Sequence, residues 1–134
     1  MSKGYDYIME NADIRHELYE KAEEAKSNAY APFSNFHVGA ALLTEDGSIY
    51  TGANIENSSF GATICAERVA MPQAIYDGKR DFVAIAVAAD EADTLPCGIC
   101  RQFMVEFCRE DFAIITGPDT VFKLSDIIPY SFKL

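Results

Sequence analysis

Apolar residues recur along the chain with helical spacing first and then with strand spacing, which predicts the order of the first elements. Spacings of three and four positions predict a helix over residues 13–29, with Asp13 as its N-cap. The apolar face of this helix consists of Ile14, Leu18, Ala22, Ala25 and Ala29. Residues 36–43 and 48–53 then flank Glu45-Asp46-Gly47, a turn signal. These two segments predict a β-hairpin.

The rest of the chain alternates between helical segments and short apolar runs. Helices are predicted at about residues 65–78 and from Pro96 to about 109, strands at 82–89, 112–116 and 121–124, and a closing turn or short helix at 125–129. Helices that alternate with central strands predict an α/β protein, a three-layer α/β/α fold with a mixed five-stranded sheet. A proline inside the second helix, Pro72, predicts a kink or an irregularity there.

Length and composition narrow the class of protein. A chain of 134 residues with 49% hydrophobic content predicts a single domain, residues 1–134, with a packed core. A net charge of −10, with no Lys/Arg cluster, excludes nucleic acid as a favoured partner. The apolar runs are too short to cross a membrane, and the first twelve residues contain no apolar signal segment. We expect a soluble, cytoplasmic protein that acts on a small molecule.

The cysteines have the spacing of metal ligands. Cys65, Cys97 and Cys100 offer three thiolates, and catalytic zinc sites hold three protein ligands and leave one position for water. A CxxC pair is also found in redox centres, and four cysteines can form two disulfides, but no secretion signal accompanies them. The remaining alternative is a structural zinc site closed by Cys108, His16 or His37. The sequence favours Zn²⁺ with an open position.

Two residues next to Cys65 add chemistry to the predicted metal site. Glu67 lies two residues from a ligand, where its carboxylate can reach metal-bound water without being a ligand. Arg68 is predicted to hydrogen-bond the thiolates and so to offset the negative charge that three sulfurs place on the metal. A surface ion pair between Glu67 and Arg68 is the alternative interpretation. The flanking cysteines favour a catalytic role for Glu67 over a surface ion pair.

These motifs resemble the cytidine deaminase family, specifically its short, homotetrameric branch with three cysteine ligands. The signature of zinc deaminases is His-x-Glu followed by Pro-Cys-x-x-Cys, and this chain has Cys65 in place of the first His. The resemblance extends from about Ala25 to Phe132. It also includes the segments Ala31-Pro32-Phe33-Ser34, Phe36-His37-Val38-Gly39-Ala40-Ala41-Leu42 and Gly52-Ala53-Asn54-Ile55-Glu56-Asn57.

The resemblance implies a reaction in pyrimidine salvage. Cytidine or 2'-deoxycytidine would lose its 4-amino group by hydrolysis, giving uridine or 2'-deoxyuridine and ammonia. Zinc lowers the pKa of its water toward about 7. Glu67 would accept a proton from that water, deliver it to N3 of the ring and then carry a second proton to the departing amine.

The resemblance also implies substrate contacts, which we carry over by position. Asn54 and Glu56 match residues that bind the ribose 3'-hydroxyl, and Phe36 matches an aromatic residue near the pyrimidine. The Ala66 N–H would contact O2 of the ring, and the Leu95 carbonyl would receive the 4-amino group. Phe132 would reach the active site of a neighbouring subunit, which makes a homotetramer with shared sites the expected assembly.

Some positions differ from the family's usual pattern. Phe60 and Phe33 stand where tyrosine is common, so the predicted contact with the 5' end of the nucleoside lacks its hydroxyl. Leu95 replaces a small hydroxyl residue, but its implied role uses only the backbone. Two other functions remain open: a deaminase of another cytosine-bearing compound, such as a nucleoside antibiotic or a nucleotide, and a catalytically silent assembly module stabilised by zinc.

Overall fold

The computed structural model of the protein describes residues 3–134, and its central feature is one mixed sheet of five strands in the order β2-β1-β3-β4-β5. The strands are β1 (Val38–Thr44), β2 (Ile49–Ala53), β3 (Phe82–Ala89), β4 (Ala113–Gly117) and β5 (Thr120–Lys123). Strands β3 and β4 pair in parallel, and the other neighbouring pairs are antiparallel. The predicted mixed sheet and the hairpin of β1 and β2 are confirmed.

Helices cover both faces of this sheet. They are α1 (Tyr5–Glu10), α2 (Ala12–Ala25), α3 (Ala66–Tyr76), α4 (Gly98–Phe107) and α5 (Leu124–Ile127), with 3₁₀ turns at Lys26–Asn28 and Phe60–Ala62. Alternate residues of β1 divide between two buried clusters: Ala40 and Leu42 pack with α3 and α4, whereas Ala41 and Leu43 pack with α1 and α2. The predicted three-layer α/β/α architecture is confirmed.

The strand β3 lies at the centre of the sheet and is buried along its whole length. All of its residues, Phe82–Ala89, are buried, because β3 lies between β1 and β4 and is covered by helices on both faces. A strand of this kind contains an uninterrupted apolar run instead of an alternating pattern. Helix α4 follows β3 and forms the connection to the parallel strand β4, as in a βαβ unit.

The N-terminal prediction is wrong in its boundaries. The predicted single helix 13–29 is in fact preceded by α1, and α2 has Asn11 as its N-cap, with Asp13 in the first turn. Asn11 separates the two helices, because its side-chain amide donates a hydrogen bond of 2.7 Å to the Tyr7 carbonyl at the end of α1. The guanidinium of Arg15 donates to the Ile8 carbonyl at 2.9 Å and further fixes this junction.

Helix α3 is unbroken from Ala66 to Tyr76, so Pro72 does not end it, and the predicted kink stays a prediction. Pro72 has no N–H to donate within the helix. Next to the proline, the side-chain amide of Gln73 donates to the Val69 carbonyl at 2.9 Å and to the Thr51 carbonyl of β2 at 2.9 Å. This contact ties the helix to the sheet at the proline. We find no functional reason for Pro72.

Among residues 3–134, no helix is both long enough and apolar enough to cross a membrane.

Candidate active site

Two helix N-termini bring the three predicted cysteines together. Cys65 is the N-cap of α3, Cys97 is the N-cap of α4, and Cys100 lies in the first turn of α4. Unpaired backbone N–H groups and the positive end of the helix dipole therefore face the sulfurs. The two helix starts thus direct the three sulfurs into one region.

The sulfur positions fit a zinc ion. The Sγ atoms of Cys65, Cys97 and Cys100 all lie within 4.8 Å of one another, and the Cys65 and Cys97 sulfurs are 3.7 Å apart. Two sulfurs of a tetrahedral site with Zn–S bonds of about 2.3 Å lie about 3.8 Å apart. A disulfide would need about 2.05 Å, and all three cysteines are free. The geometry favours metal ligation over a redox pair.

The other ligand candidates lie elsewhere. In the described part of the chain the cluster contains only the three cysteines. His37 Nδ1 lies 2.8 Å from Asp90 Oδ2, and His16 Nε2 lies 3.1 Å from Asp119 Oδ1. The fourth cysteine, Cys108, ends α4, and burial raises the pKa of its thiol. These three residues do not close the site, so a metal held by the thiols keeps one position without a ligand from residues 3–134.

Hydrogen bonds around Cys65 favour its thiolate. The Cys100 thiol and the guanidinium of Arg68 both donate to it, and together they lower the pKa of Cys65 to about 5. Nη2 of Arg68 lies 3.4 Å from the Cys65 sulfur. Nε of Arg68 is buried and has no hydrogen-bond partner among the described residues. The guanidinium of Arg68 thus places positive charge beside the sulfur cluster through its contact with Cys65.

Glu67 is buried beside the sulfurs. It occupies the first turn of α3, and only 4% of its surface is exposed. Burial raises the pKa of Glu67 to about 7, and the nearby Cys65 thiolate acts in the same direction. A carboxyl group of this kind is able to accept a proton and to release it again near neutral pH. Its position suits a proton carrier next to a metal.

A cleft of about 220 Å³ opens beside the cluster. Of the predicted substrate contacts, the structure places Asn54, Glu56, Ala66 and Leu95 in its lining, together with Glu67. The remaining lining residues are Val38, Thr63, Ile64, Cys65, Val87, Thr94 and Cys97. The cleft therefore combines an apolar wall with a few polar groups, as expected of a small-molecule site.

Asn54 and Glu56 each have contacts that sequence reasoning missed. The Asn54 amide joins two strand ends: Val38 N donates to Oδ1 at 2.9 Å, and Nδ2 donates to the Phe36 carbonyl at 2.9 Å. The Glu56 carboxylate accepts from the backbone N–H groups of Phe33 at 2.8 Å and Ser34 at 3.2 Å. Ser34 Oγ also donates to Glu56. The only signal for Ser34 was its place in the Ala31–Ser34 segment.

Two predicted substrate residues lie outside the cleft lining. Phe36 precedes β1 and is partly buried, and its carbonyl holds Asn54. Phe132 instead lines a separate cavity at the end of α4, where its carbonyl accepts a hydrogen bond of 2.9 Å from Gln102 Nε2. The residue is 66% exposed. Within this chain, Phe132 does not contribute to the cleft.

A buried carboxyl group of raised pKa beside three thiols that fit a metal has the composition expected of the class of zinc-dependent hydrolytic enzymes. The chain belongs to the cytidine and deoxycytidylate deaminase family, because the model of that family's zinc-binding region matches residues 12–116. The matched part contains all three cysteines and Glu67.

Similar proteins carry cytidine deaminase names. A cytidine deaminase of Halalkalibacterium halodurans is 46% identical over 123 residues, which cover 88% of this chain and 93% of that protein. The crystal structure of a cytidine deaminase from Burkholderia pseudomallei matches with a TM-score of 0.82 and 42% identity, covering 87% of this chain and 98% of that one. A blasticidin-S deaminase of Bacillus cereus is 31% identical over 127 residues, or 87% of this chain and 90% of that protein.

Proposed function

We propose that this protein is a cytidine deaminase that hydrolyses cytidine and 2'-deoxycytidine to uridine and 2'-deoxyuridine, with release of ammonia. The observation that carries this proposal is the buried carboxylate of Glu67 next to three converging thiols in a cleft. The names of the relatives agree with it. Zn²⁺ bound to the thiols supplies a water nucleophile of lowered pKa.

The residues of the cleft then have separate tasks. Glu67 accepts a proton from the water nucleophile and delivers it to N3 of the pyrimidine, which makes C4 electrophilic. The same carboxylate carries the next proton to the departing amine. The Ala66 N–H lies at the start of α3, where it has no partner within the helix, and it is assigned to O2 of the ring. The Leu95 carbonyl is assigned to the 4-amino group.

Sugar recognition is assigned to Asn54 and Glu56. Both line the cleft, and an amide beside a carboxylate suits a hydroxyl, which donates and accepts. The negative charge of Glu56 would repel a phosphate, which favours nucleosides over nucleotides. Phe36 fixes Asn54 through its carbonyl and is assigned to the wall near the base. Arg68 is assigned to the charge balance of the thiolates.

We further propose that residues 1–134 act as one catalytic domain in a cytoplasmic homotetramer that serves pyrimidine salvage. A single sheet with two helical layers accounts for the elements of residues 3–134. Large apolar side chains are exposed at and near the cleft, and such patches mark contacts with other chains. They are Phe33, Ile55, Phe60, Ile64, Leu95 and Ile99. The free thiols agree with a reducing compartment.

Phe33 and Phe60 form one part of this apolar patch. Their ring centroids are 6.2 Å apart in an edge-to-face arrangement. The two positions where the family commonly has tyrosine are thus in contact with each other. We propose that this pair adds apolar contact area between subunits and contributes no hydroxyl to the 5' end of the nucleoside.

A substrate panel tests the proposed function. We expect the zinc-loaded protein to release ammonia from cytidine and 2'-deoxycytidine, and not from cytosine, deoxycytidine monophosphate or adenosine. Metal analysis of the same sample should show zinc. Absence of metal, or metal without ammonia release from any compound, would contradict the proposal and favour a silent assembly module.

Blasticidin S belongs in the same panel as the second candidate substrate. The match to the blasticidin-S deaminase of Bacillus cereus covers nearly the whole chain, at 31% identity. The relatives named cytidine deaminase are more similar, at 46% and 54% identity. We therefore expect the higher kcat/KM for cytidine. A higher kcat/KM for blasticidin S than for cytidine would instead make this compound the proposed substrate.

Phe132 tests the proposed sharing of sites between subunits. We expect Phe132→Ala to raise the KM for cytidine about tenfold, because a buried aromatic contact with the substrate or its site is lost. Zinc content should not change. Tyr130→Ala is the matched control, since Tyr130 lies in the same tail and is 97% exposed. Steady-state kinetics with an unchanged KM for Phe132→Ala would refute the assignment.

A further inference from the structure

The hydroxyl of Ser34 lies between two residues that are assigned to substrate binding. It donates to Oε2 of Glu56, and it accepts the N–H of Phe36 at 3.0 Å. A single hydroxyl thus connects the sugar-binding carboxylate with the backbone of the residue assigned to the base. The Phe36 carbonyl in turn holds the Asn54 amide.

Core packing does not hold this arrangement in place. Ser34 is exposed and Glu56 is partly exposed. The backbone at Asn35 is left-handed, with φ of 55°, and its N–H closes the turn onto the Ala31 carbonyl at 3.0 Å. Hydrogen bonds to Glu56 therefore determine how the turn and the carboxylate sit relative to each other.

The hydrogen bonds of Glu56 leave little room for other donors. An ionised carboxylate offers about four acceptor positions, about two on each oxygen. Oε1 accepts the N–H groups of Phe33 and Ser34, and Oε2 accepts the Ser34 hydroxyl. One acceptor position remains on Oε2. The same hydrogen bonds, with that of the Ser34 hydroxyl the strongest, lower the pKa of Glu56 and keep it ionised.

We propose that Ser34 is a positioning residue that aims the last acceptor position of Glu56 at one sugar hydroxyl of the substrate. This inference rests on the proposed function. A carboxylate with one free position grips one hydroxyl and not two neighbouring ones. Because the resemblance assigns the 3'-hydroxyl to Glu56, loss of that hydroxyl is expected to be costly, whereas a substrate without the 2'-hydroxyl keeps this contact.

The experiment compares cytidine with 3'-deoxycytidine as substrates. In Ser34→Ala we expect kcat/KM for cytidine to fall about tenfold, mainly through KM, because the carboxylate loses its side-chain donor. The value for 3'-deoxycytidine should change less than about twofold, because that substrate lacks the hydroxyl that the carboxylate recognises. The ratio of kcat/KM for cytidine to kcat/KM for 3'-deoxycytidine therefore falls. Ser34→Thr keeps the hydroxyl and should restore most of that preference.

The control separates a positioning role from general damage. Ser27→Ala removes another exposed hydroxyl, which donates only to the Glu24 carbonyl at 2.9 Å, and should leave both substrates unaffected. Equal losses on both substrates in Ser34→Ala, no loss on either, or failure of threonine to restore the preference would each overturn the inference. If the wild-type protein does not deaminate cytidine, the proposed function fails first and this inference fails with it.

Discussion

Replacing Glu67 with glutamine is expected to lower kcat for cytidine by about 10³-fold while zinc content and melting temperature stay unchanged. Glutamine keeps the size and shape of the side chain but neither accepts nor releases a proton at neutral pH. The site in the first turn of α3 is nearly fully buried, with 4% of the residue exposed, so the isosteric change leaves the packing intact. Steady-state kinetics and metal analysis on the same preparation measure both effects.

Glu106→Gln serves as the matched control for this variant. Glu106 is exposed on α4 and lies outside the cleft, so its replacement should leave kcat unchanged. A Glu67→Gln protein that keeps more than about a tenth of the wild-type turnover would exclude Glu67 as the proton carrier. Loss of zinc in this variant would instead indicate that Glu67 supports the metal site.

Replacing Cys100 with alanine is expected to abolish both zinc binding and turnover. Its side chain is fully buried in the cluster of α3 and α4, and its sulfur is one of the three that converge. Loss of a residue that only orients a ligand costs 10–100-fold in metal affinity, so loss of the ligand itself should exceed about 100-fold. Metal analysis after dialysis against a weak chelator measures this loss.

The fourth cysteine provides the control. Cys108→Ala removes a thiol from the end of the same helix but not from the sulfur cluster. This variant should keep its zinc and its activity, with only the modest loss of stability that follows removal of a buried sulfur. If Cys108→Ala also lost its zinc, the three-thiol assignment would be wrong.

The central fold was predictable because two of its signals are strong. An uninterrupted apolar run at 82–89 is typical of a strand covered on both faces, and β3 has those bounds. A glycine turn between alternating segments predicts a hairpin, and β1 and β2 form one. The strand β1 nevertheless begins at Val38, two residues later than predicted, because a side-chain hydroxyl already holds the Phe36 N–H and Asp90 holds that of His37.

The N-terminal helices were harder to predict, because tertiary contacts determine them. Helix α1 places Ile8 in the core, but six residues do not display a periodic pattern. Arg15 is buried with 8% exposed, although a charged residue normally predicts a surface position. Its guanidinium is satisfied by carbonyls of the α1 end and by Pro118 and Asp119, which are distant in sequence. Such partners are not visible in a local pattern.

The cleft also has a part that the local sequence predicts and a part that tertiary contacts determine. The spacing of Cys65, Glu67 and the CxxC pair predicted convergence at two helix starts, since a helix N-terminus fixes the direction of its first side chains. The contacts of Asn54 and Glu56 depend instead on how a loop folds back on the sheet. Periodicity contains no information on that geometry. The resemblance located these two residues, but it did not identify the hydroxyl of Ser34, which donates to Glu56.

The three converging cysteines belong to two helices that precede and follow the central strand β3 in sequence, and this arrangement sets an order of maturation. Cys65 and Cys97 are 32 positions apart in sequence, with β3 between them. During synthesis the three thiols converge only after the chain has been made through α4 and β3 has paired in the sheet. Among the buried members of the two apolar clusters of residues 3–134, Cys100 is the one cysteine, so apolar burial is expected to fold the apoprotein without metal. Zinc added to the folded apoprotein is then expected to enter a site whose three thiols already converge.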